Sequence, residues 1–181
     1  MISAASVSDA KPELSSIFFN VFKNTIKIAA TDSFRLAEKT ITSKNFYSDH
    51  QISFLIPQKT TQEITKLLEK TTHPTEFCFN KNQLIITHPG MKFISRLTDG
   101  HFPDYDQIIP KTFKTTAFVK KTEFLSNLKL ASIFSGKLGD VSISFQPEKK
   151  NIFIKTTNQE AGAHTSVMDA VITGEETNLK F

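Results

Sequence analysis

The residues with the clearest potential for chemistry are three aspartates in one short segment, DGHFPDYD, which begins at Asp99. Asp99, Asp104 and Asp106 could together offer carboxylate oxygens to Mg²⁺ or Ca²⁺, which bind oxygen ligands. A metal-dependent hydrolase that uses these three carboxylates is therefore one hypothesis. Their spacing matches no metal-binding loop, however, and the segment is more simply interpreted as a proline-containing connection anchored by Phe102 and Tyr105.

Other catalytic patterns are missing from the sequence. The six glycines are scattered and form no phosphate-binding loop, and no Gly-x-Ser-x-Gly motif marks a nucleophilic serine. The five histidines lack the spacing of metal ligands. Cys78 stands between Phe77 and Phe79 in an alternating run and is predicted to be a small core residue. We therefore predict no catalytic residue, no metal site and no cofactor.

The chain is mildly basic, with 22 lysines and arginines against 18 acidic residues and a net charge of +4. Lys59, Lys66 and Lys70 share one side of a predicted amphipathic helix, where Glu63 can pair with Lys59 or Lys66. Such a stripe is either a solvated helix face or a surface that contacts nucleic-acid phosphates without reading bases. One cysteine, no secretory signal and no apolar run long enough to span a membrane favour a cytoplasmic protein.

Two segments have the apolar periodicity of amphipathic helices. In most of the remaining chain, apolar and polar residues alternate, as they do in β-strands. The helices are predicted over 57–70, with Pro57 in the first turn and a Thr60–Glu63 capping box, and over 120–136. Their inward-facing residues are predicted to be Thr60, Ile64, Leu67 and Leu68 in the first, and Phe124, Leu125, Leu128, Ala131 and Ser132 in the second. Strands are predicted over 16–22, 25–31, 34–41, 51–56, 75–80, 83–88, 92–98, 140–146, 151–157, 164–173 and 178–181. This mixture predicts the α+β class.

An internal repeat relates the two ends of the chain. A shift of 126 residues aligns residues 5–31 with 131–157 without a gap. Identical residues in the two segments include Ala5/Ala131, Ile17/Ile143, Phe19/Phe145, Ile26/Ile152 and Ile28/Ile154. Because 131–157 begins inside the second predicted helix, we expect Met1–Val7 to be the end of an equivalent helix whose start is absent. The repeat thus predicts nearly one whole domain followed by the first half of another.

Three sequence blocks resemble the bacterial sliding clamp family, the β subunits of DNA polymerase III. They are ATDSFRLAEK (30–39), LIPQKTTQEI (55–64) and SRLTDGHFPDYDQIIP (95–110), in the family's order and spacing. The stretch KKTEFLSNLKLASIFSG (120–136), with the hairpin after it, is similar to the start of that family's third domain.

The resemblance implies a DNA-clamp fold of the α+β class, with repeated domains that each contain two helices and two four-stranded antiparallel sheets. It further implies that residues 1–110 are the middle clamp domain, without the start of its first helix. Residues 111–181 would then be the first half of the C-terminal domain.

For function, the resemblance implies a processivity factor and not an enzyme. In this family two subunits close head to tail into a ring around double-stranded DNA, and helices in the hole present positive charge to the phosphates. Lys59, Lys120 and Lys121 are the DNA contacts implied here. The ring keeps the catalytic subunit of DNA polymerase III on its template. Besides the hydrolase, a β-rich interaction module unrelated to DNA remains an alternative.

The family also captures short peptide motifs of the polymerase, the clamp loader and repair proteins in a groove between its middle and C-terminal domains. The positions that match this groove are Leu14, Thr31, Ser33, Phe34, Arg35, Leu36, Pro103, Gln107 and Ile108. Leu14, Leu36, Pro103 and Ile108 suit an apolar wall, and the polar residues suit the orientation of a peptide backbone. The rest of the groove is expected from strands that follow these residues in the family.

Overall fold

The computed structural model describes residues 1–8, 10–69, 73–136, 139–158 and 162–181. The chain forms two compact units, Met1–Asp104 and Tyr105–Phe181, and each packs an α-helix against antiparallel sheet. The predicted α+β class is therefore confirmed. Within the described ranges, no helix is both long and apolar enough to cross a membrane.

The first unit contains every strand that was predicted for it. Its elements are a turn of 3₁₀-helix (Ile2–Ala4), β1 (Ser16–Lys23), β2 (Thr25–Thr31), β3 (Leu36–Thr42), β4 (Ser48–Pro57), α1 (Gln58–Leu68), β5 (Glu76–Phe79), β6 (Gln83–His88) and β7 (Met91–Arg96). Phe22 pairs with Thr25, so Lys23 and Asn24 form the tight turn that the sequence predicts between β1 and β2.

Two antiparallel sheets build this unit. The order of the first is β3-β2-β1-β4, and the order of the second is β5-β6-β7. The described residues thus give one sheet of four strands and one of three, where the resemblance implied two of four. Ile17 on β1 is buried with Ala4, Ala5 and Ala30, so the 3₁₀ turn lies where the end of a helix was expected.

Helix α1 follows β4 without a loop, and its start differs from the prediction. Pro57 is the N-cap residue, and no side chain caps the helix, so the predicted capping box at Thr60 is wrong. The Thr60 hydroxyl lies 3.2 Å from Oγ of Ser95, which gives it a partner outside the helix. The helix ends at Leu68, and Lys70 lies outside the described residues.

A second core cluster lies beneath α1. Ile64 is buried with Ile56, Leu84 and Ile86 from β4 and β6. These aliphatic side chains come from one helical stripe and from alternate strand positions, as the two periodicities require. Leu67, which was predicted to face inward, is exposed, because it lies at the edge of the apolar stripe.

The second unit packs a helix on a four-stranded sheet. Its elements are β8 (Thr115–Phe118), α2 (Lys121–Phe134), β9 (Ser142–Gln146), β10 (Asn151–Asn158), β11 (Gly162–Asp169), β12 (Val171–Gly174) and β13 (Thr177–Lys180). The sheets have the orders β11-β10-β9-β13 and β12-β8. Strand β8 was not predicted, and the single strand predicted over 164–173 is divided at Ala170 into β11 and β12.

The core of this unit joins α2 to the four-stranded sheet. Ala131 is fully buried with Ile143, Ile152, Ile154 and Met168. Phe124 and Leu128 pack against this cluster, as predicted. Leu125 and Ser132, which were also predicted to face inward, are exposed. The apolar residues of α2 extend over more than one face, so composition alone does not identify the buried stripe.

The internal repeat is present as structure. The strand order β3-β2-β1-β4 matches β11-β10-β9-β13 strand for strand, and the repeat-related residues Ala5 and Ala131 are both buried. The copies differ in the register of their first hairpin. Phe19 pairs with Ile28, whereas Phe145 pairs with Ile152, because a four-residue turn at 147–150 replaces the two-residue turn. A shift of two residues keeps each side chain on its original face.

The prediction that Cys78 is a core residue is wrong, since this residue is exposed. Cys78 pairs with Ile85 and projects from the face of β5 opposite to Phe77 and Phe79. The ring of Phe79 lies 4.7 Å from the ring of Phe54, so this side of β5 makes the packing contact, although Phe79 is 37% exposed. Alternation identified the strand but not the face that is buried.

Candidate functional site

The turn between β2 and β3 brings five of the predicted groove residues together. Thr31 ends β2 and Leu36 begins β3, and the two residues are paired neighbours in the sheet. The five residues of this segment are Thr31, Ser33, Phe34, Arg35 and Leu36. Because the turn is short and closed by a paired position, these residues occupy one corner of the first unit.

Asp32 holds this turn in shape. Its Oδ1 accepts the backbone N–H groups of Phe34 at 3.0 Å and Arg35 at 2.7 Å. Its Oδ2 accepts Nε and Nη2 of Arg35 at 2.9 and 2.7 Å. The backbone N–H of Arg35 first, then its guanidinium and the N–H of Phe34, lower the pKa of Asp32 to about 2. Asp32 was not among the predicted site residues, although an aspartate that opens a short polar turn is a known signal.

Thr31 closes the turn from the other side. Its hydroxyl accepts the N–H of Ser33 at 3.1 Å and donates to the carbonyl of Arg35 at 2.7 Å. Ser33 has a φ of 77°, a left-handed conformation that side chains rarely adopt. The hydrogen bonds that Thr31 and Asp32 make within the turn fix this conformation. Thr31 is itself buried, so it supports the turn and offers little surface to a ligand.

The fixed turn presents an aromatic ring to solvent. Phe34 is 96% exposed, although its backbone is held by Asp32. Leu36, two residues later, is half-buried at the start of β3. An exposed ring on a rigid turn can contact a partner at a small cost in conformational entropy. This corner is therefore suited to binding an apolar side chain.

The segment that contains Pro103 is held against the face of the sheet that carries Leu36. The ring of Phe102 stacks on the ring of Phe18, with 4.9 Å between centroids. Phe18, Ala29 and Glu38 are aligned across β1, β2 and β3, and Leu36 shares the face of Glu38 because strand side chains alternate. The stacked pair thus holds the segment before Asp104 against this face. Pro103 is exposed there, as a ligand-binding residue must be.

The other predicted groove residues lie elsewhere. Leu14 is 7% exposed and is therefore a buried support of the first unit. Gln107 and Ile108 belong to the second unit. Both are exposed, and the N–H of Ile108 donates to the carbonyl of Tyr105 at 3.1 Å within that unit.

The three predicted DNA-contacting lysines lie at the starts of the two helices. Lys59 is the second residue of α1 and is exposed. Lys120 is the N-cap residue of α2 and Lys121 is its first residue, and both are exposed. A helix N-terminus carries partial positive charge, so two lysines there strengthen the attraction for an anion such as phosphate. Further along α1, Lys66 pairs with Glu63 at 3.1 Å, as the spacing allowed.

The three carboxylates within residues 99–106 do not support a hydrolase. Asp99, Asp104 and Asp106 are exposed. Among the residues that the structure describes, no three histidine, cysteine or acidic side chains are grouped so as to hold a metal ion. Phe102 stacks on Phe18 and Tyr105 is buried, as expected of a connection that these two aromatic residues anchor.

Comparison with known proteins identifies the fold. The family model of the DNA polymerase III beta subunit, central domain, matches residues 1–104. The chain is 29% identical to the beta sliding clamp of Bacillus subtilis over 184 residues, covering 98% of this chain and 47% of that protein. It is 25% identical to the beta sliding clamp of Staphylococcus aureus, over 92% of this chain and 44% of that protein. The chain spans about half the length of the curated relatives it matches.

Solved structures agree with the sequence matches. The DNA polymerase sliding clamp of Bacillus subtilis superposes with a TM-score of 0.91 and 29% identity, covering 99% of this chain and 48% of that one. The DNA polymerase III beta subunit of Thermotoga maritima gives a TM-score of 0.86 at 25% identity, over 99% of this chain and 48% of its own. The expected DNA-clamp fold is confirmed. Since the central-domain model covers more than half of the residues, the chain belongs to the DNA polymerase III beta subunit family, that of the beta sliding clamps.

Proposed function

We propose that this chain is part of a sliding DNA clamp, a non-catalytic subunit that keeps DNA polymerase III on its template. The observation that carries the proposal is the match of residues 1–104 to the central-domain family model, together with the superposition of nearly the whole chain on a solved clamp. In such a protein, topological linkage to DNA supplies processivity. Strong or sequence-specific DNA binding is therefore unnecessary, and weak contacts to phosphates suffice.

In this proposal, residues 1–110 act as the middle clamp domain and residues 111–181 as the first half of the C-terminal domain. The identical strand order in the two units supports this assignment, because a clamp consists of repeats of one fold. The compact units divide at Asp104, a few residues before the proposed boundary. Full-length subunits would pair head to tail as a ring around double-stranded DNA in the cytoplasm.

We assign DNA contact to Lys59, Lys120 and Lys121. Lysine presents a flexible point charge, which suits a passing phosphate better than a fixed base edge. The N-terminus of α2 adds to the positive potential at Lys120 and Lys121. Each such contact is weak and falls with salt concentration, so the ring can slide.

We assign peptide capture to the corner around the β2–β3 turn. The proposed groove consists of Leu14, Thr31, Ser33, Phe34, Arg35, Leu36, Pro103, Gln107 and Ile108. The turn that Asp32 fixes and the exposed ring of Phe34 support this assignment within the first unit. The partners would be the catalytic subunit of DNA polymerase III, the clamp loader and other proteins that carry clamp-binding motifs.

A chimera tests the proposal. The 181 residues would replace the matching segment of the Bacillus subtilis clamp, which is the relative of 29% identity. The chimera, with that organism's loader and polymerase, would extend a primer on circular single-stranded DNA. We expect products much longer than those of the polymerase alone. A folded, ring-forming chimera that leaves product length unchanged would contradict the proposal.

Two variants on one strand separate the groove from the ring. Leu36→Asp places a charge in the proposed groove at the start of β3, whereas Ile41→Asp places one near the other end, where Ile41 is 40% exposed. We expect Leu36→Asp to remove the stimulation of the polymerase and Ile41→Asp to keep it. Both variants should retain the ring, as size-exclusion chromatography with light scattering would report.

A further inference from the structure

The second unit has a cavity of about 520 Å³ whose lining residues, apart from Lys120, have no role in the proposed clamp function. It lies where the end of β8, the start of α2, the β9–β10 turn and the corner between β11 and β12 meet. This volume falls within the range of small-molecule pockets. We refer to it as the Phe118 cavity.

One wall of the Phe118 cavity is apolar and exposed. Phe118 and Val171 are paired across β8 and β12, so their side chains stand next to each other. Phe118 is 70% exposed and Val171 is 67% exposed, and Val119 adds a further aliphatic surface. Two adjacent large apolar side chains with this exposure form a patch that gains free energy when a partner covers it.

Another part of the wall is cationic. Lys120, Lys149 and Lys150 line it, with Asp169 as the one acidic lining residue. None of these three lysines forms an ion pair with any residue that the structure describes. Their charges are therefore available to an acidic ligand.

The backbone beneath two of these lysines is fixed. Lys150 has a φ of 54°, and its N–H donates to the carbonyl of Pro147 at 3.1 Å. Its carbonyl accepts the N–H of Ala170 at 2.9 Å, which ties the turn to the corner before β12. The turn and the apolar wall thus keep a defined separation. A ligand would find both walls already in place.

We propose that the Phe118 cavity docks an acidic peptide segment of a partner protein, with an aromatic or aliphatic side chain on Phe118 and Val171 and carboxylates beside the lysines. The combination of three unpaired lysines with an apolar wall provides the complementarity for such a segment. Single-stranded DNA fits less well, because successive bases stack on successive aromatic rings. Beyond Phe118, the apolar lining is aliphatic and has no ring to offer a second base.

Fluorescence anisotropy with the 181-residue chain tests the proposal. The probe is a fluorescein-labelled peptide of sequence Asp-Glu-Phe-Asp-Leu-Glu. We expect saturable binding that weakens about tenfold or more in Phe118→Ser and in the double variant Lys149→Glu/Lys150→Glu. Changing Phe and Leu of the peptide to Ser, or its acids to Asn and Gln, should each weaken binding by a similar factor.

Matched controls lie in the same unit. Phe113→Ser removes a ring that is 69% exposed, and Lys155→Glu reverses an exposed charge on β10, both outside the cavity lining. We expect binding to these variants to stay within about twofold of the unmodified chain, since surface changes away from a site have small effects. Leu36→Asp should also leave binding of the acidic peptide unchanged, and this result would distinguish the Phe118 cavity from the proposed groove.

Three results would overturn the proposal. The first is no saturable binding of the peptide, or binding that Phe118→Ser leaves unchanged. The second is displacement of the peptide by a thymidine oligonucleotide whose own binding depends on Phe118, which would make the cavity a nucleic-acid site. The third is self-association of the chain in sedimentation that Phe118→Ser abolishes, which would make a second copy the occupant.

Discussion

The duplicated building block predicts an unequal cost for the same substitution at repeat-related positions. Ile28 and Ile154 are identical in the aligned repeat, but Ile154 is fully buried and Ile28 is only half-buried. Ile154 belongs to the core cluster with Ala131 and Met168. Ile154→Ala removes three buried carbon atoms, at about 0.8 kcal/mol each, and leaves a cavity. We therefore expect Ile154→Ala to cost about 3 to 4 kcal/mol and Ile28→Ala about half as much.

Urea unfolding monitored by hydrogen-exchange mass spectrometry reports the stability of each unit separately, because each peptide fragment comes from only one unit. Ile154→Ala should lower the midpoint for peptides of the second unit, and Ile154→Val should cost about 1 kcal/mol. Val167→Ala is the surface control, since Val167 is 52% exposed. Equal costs at Ile28 and Ile154, or no loss at Ile154, would refute the reasoning that the more buried isoleucine of the pair contributes more stability.

Three further predictions concern single sites. The pKa of Asp32 is lowered to about 2, so the hydrogen bonds that its carboxylate accepts should persist above pH 4 and be lost as the pH falls through about 2. In NMR spectra, the amide signals of Phe34 and Arg35 should shift over that pH range. In the variant Asp32→Asn these signals should not titrate. In the chimera, Lys120→Glu/Lys121→Glu should reduce the slope of log affinity for DNA against log salt by about 2, and an unchanged slope would remove both lysines from the interface. Cys78 is exposed, so native protein should react with a thiol reagent about as fast as unfolded protein does, and strong protection would contradict its placement.

The alternation of apolar residues predicted most of the fold. The β1–β2 hairpin and the repeat were predictable, since both depend on local periodicity and on a register without gaps. Strand β8 was not, because four residues rich in threonine give too short a pattern. Cys78 was assigned to the wrong face, since alternation is the same on both sides of a strand. Which side is buried depends on contacts such as the one between Phe54 and Phe79.

The residues of the candidate site could be predicted, but the contacts that hold them in place were not. The resemblance selected Thr31, Ser33, Phe34, Arg35 and Leu36, which do lie in one turn. It did not indicate that a neighbouring carboxylate fixes the turn, or that Thr31 is a buried support. The role of Asp32 had a local signal, an aspartate at the start of a short polar turn, whereas the burial of Thr31 depends on tertiary packing. The grouping of Lys149 and Lys150 with β12 was likewise not predictable, because it arises from tertiary structure.

Topological retention on DNA tests the central claim most directly. The chimeric clamp, labelled and loaded onto nicked circular DNA, would be passed over a gel-filtration column before and after a restriction enzyme linearises the DNA. We expect the chimera to stay with the circle in about 0.2 M salt, which weakens phosphate contacts, and to leave the linear DNA by sliding off its ends. Equal retention on circular and linear DNA, or loss from both, would contradict the account of a ring that encircles the duplex.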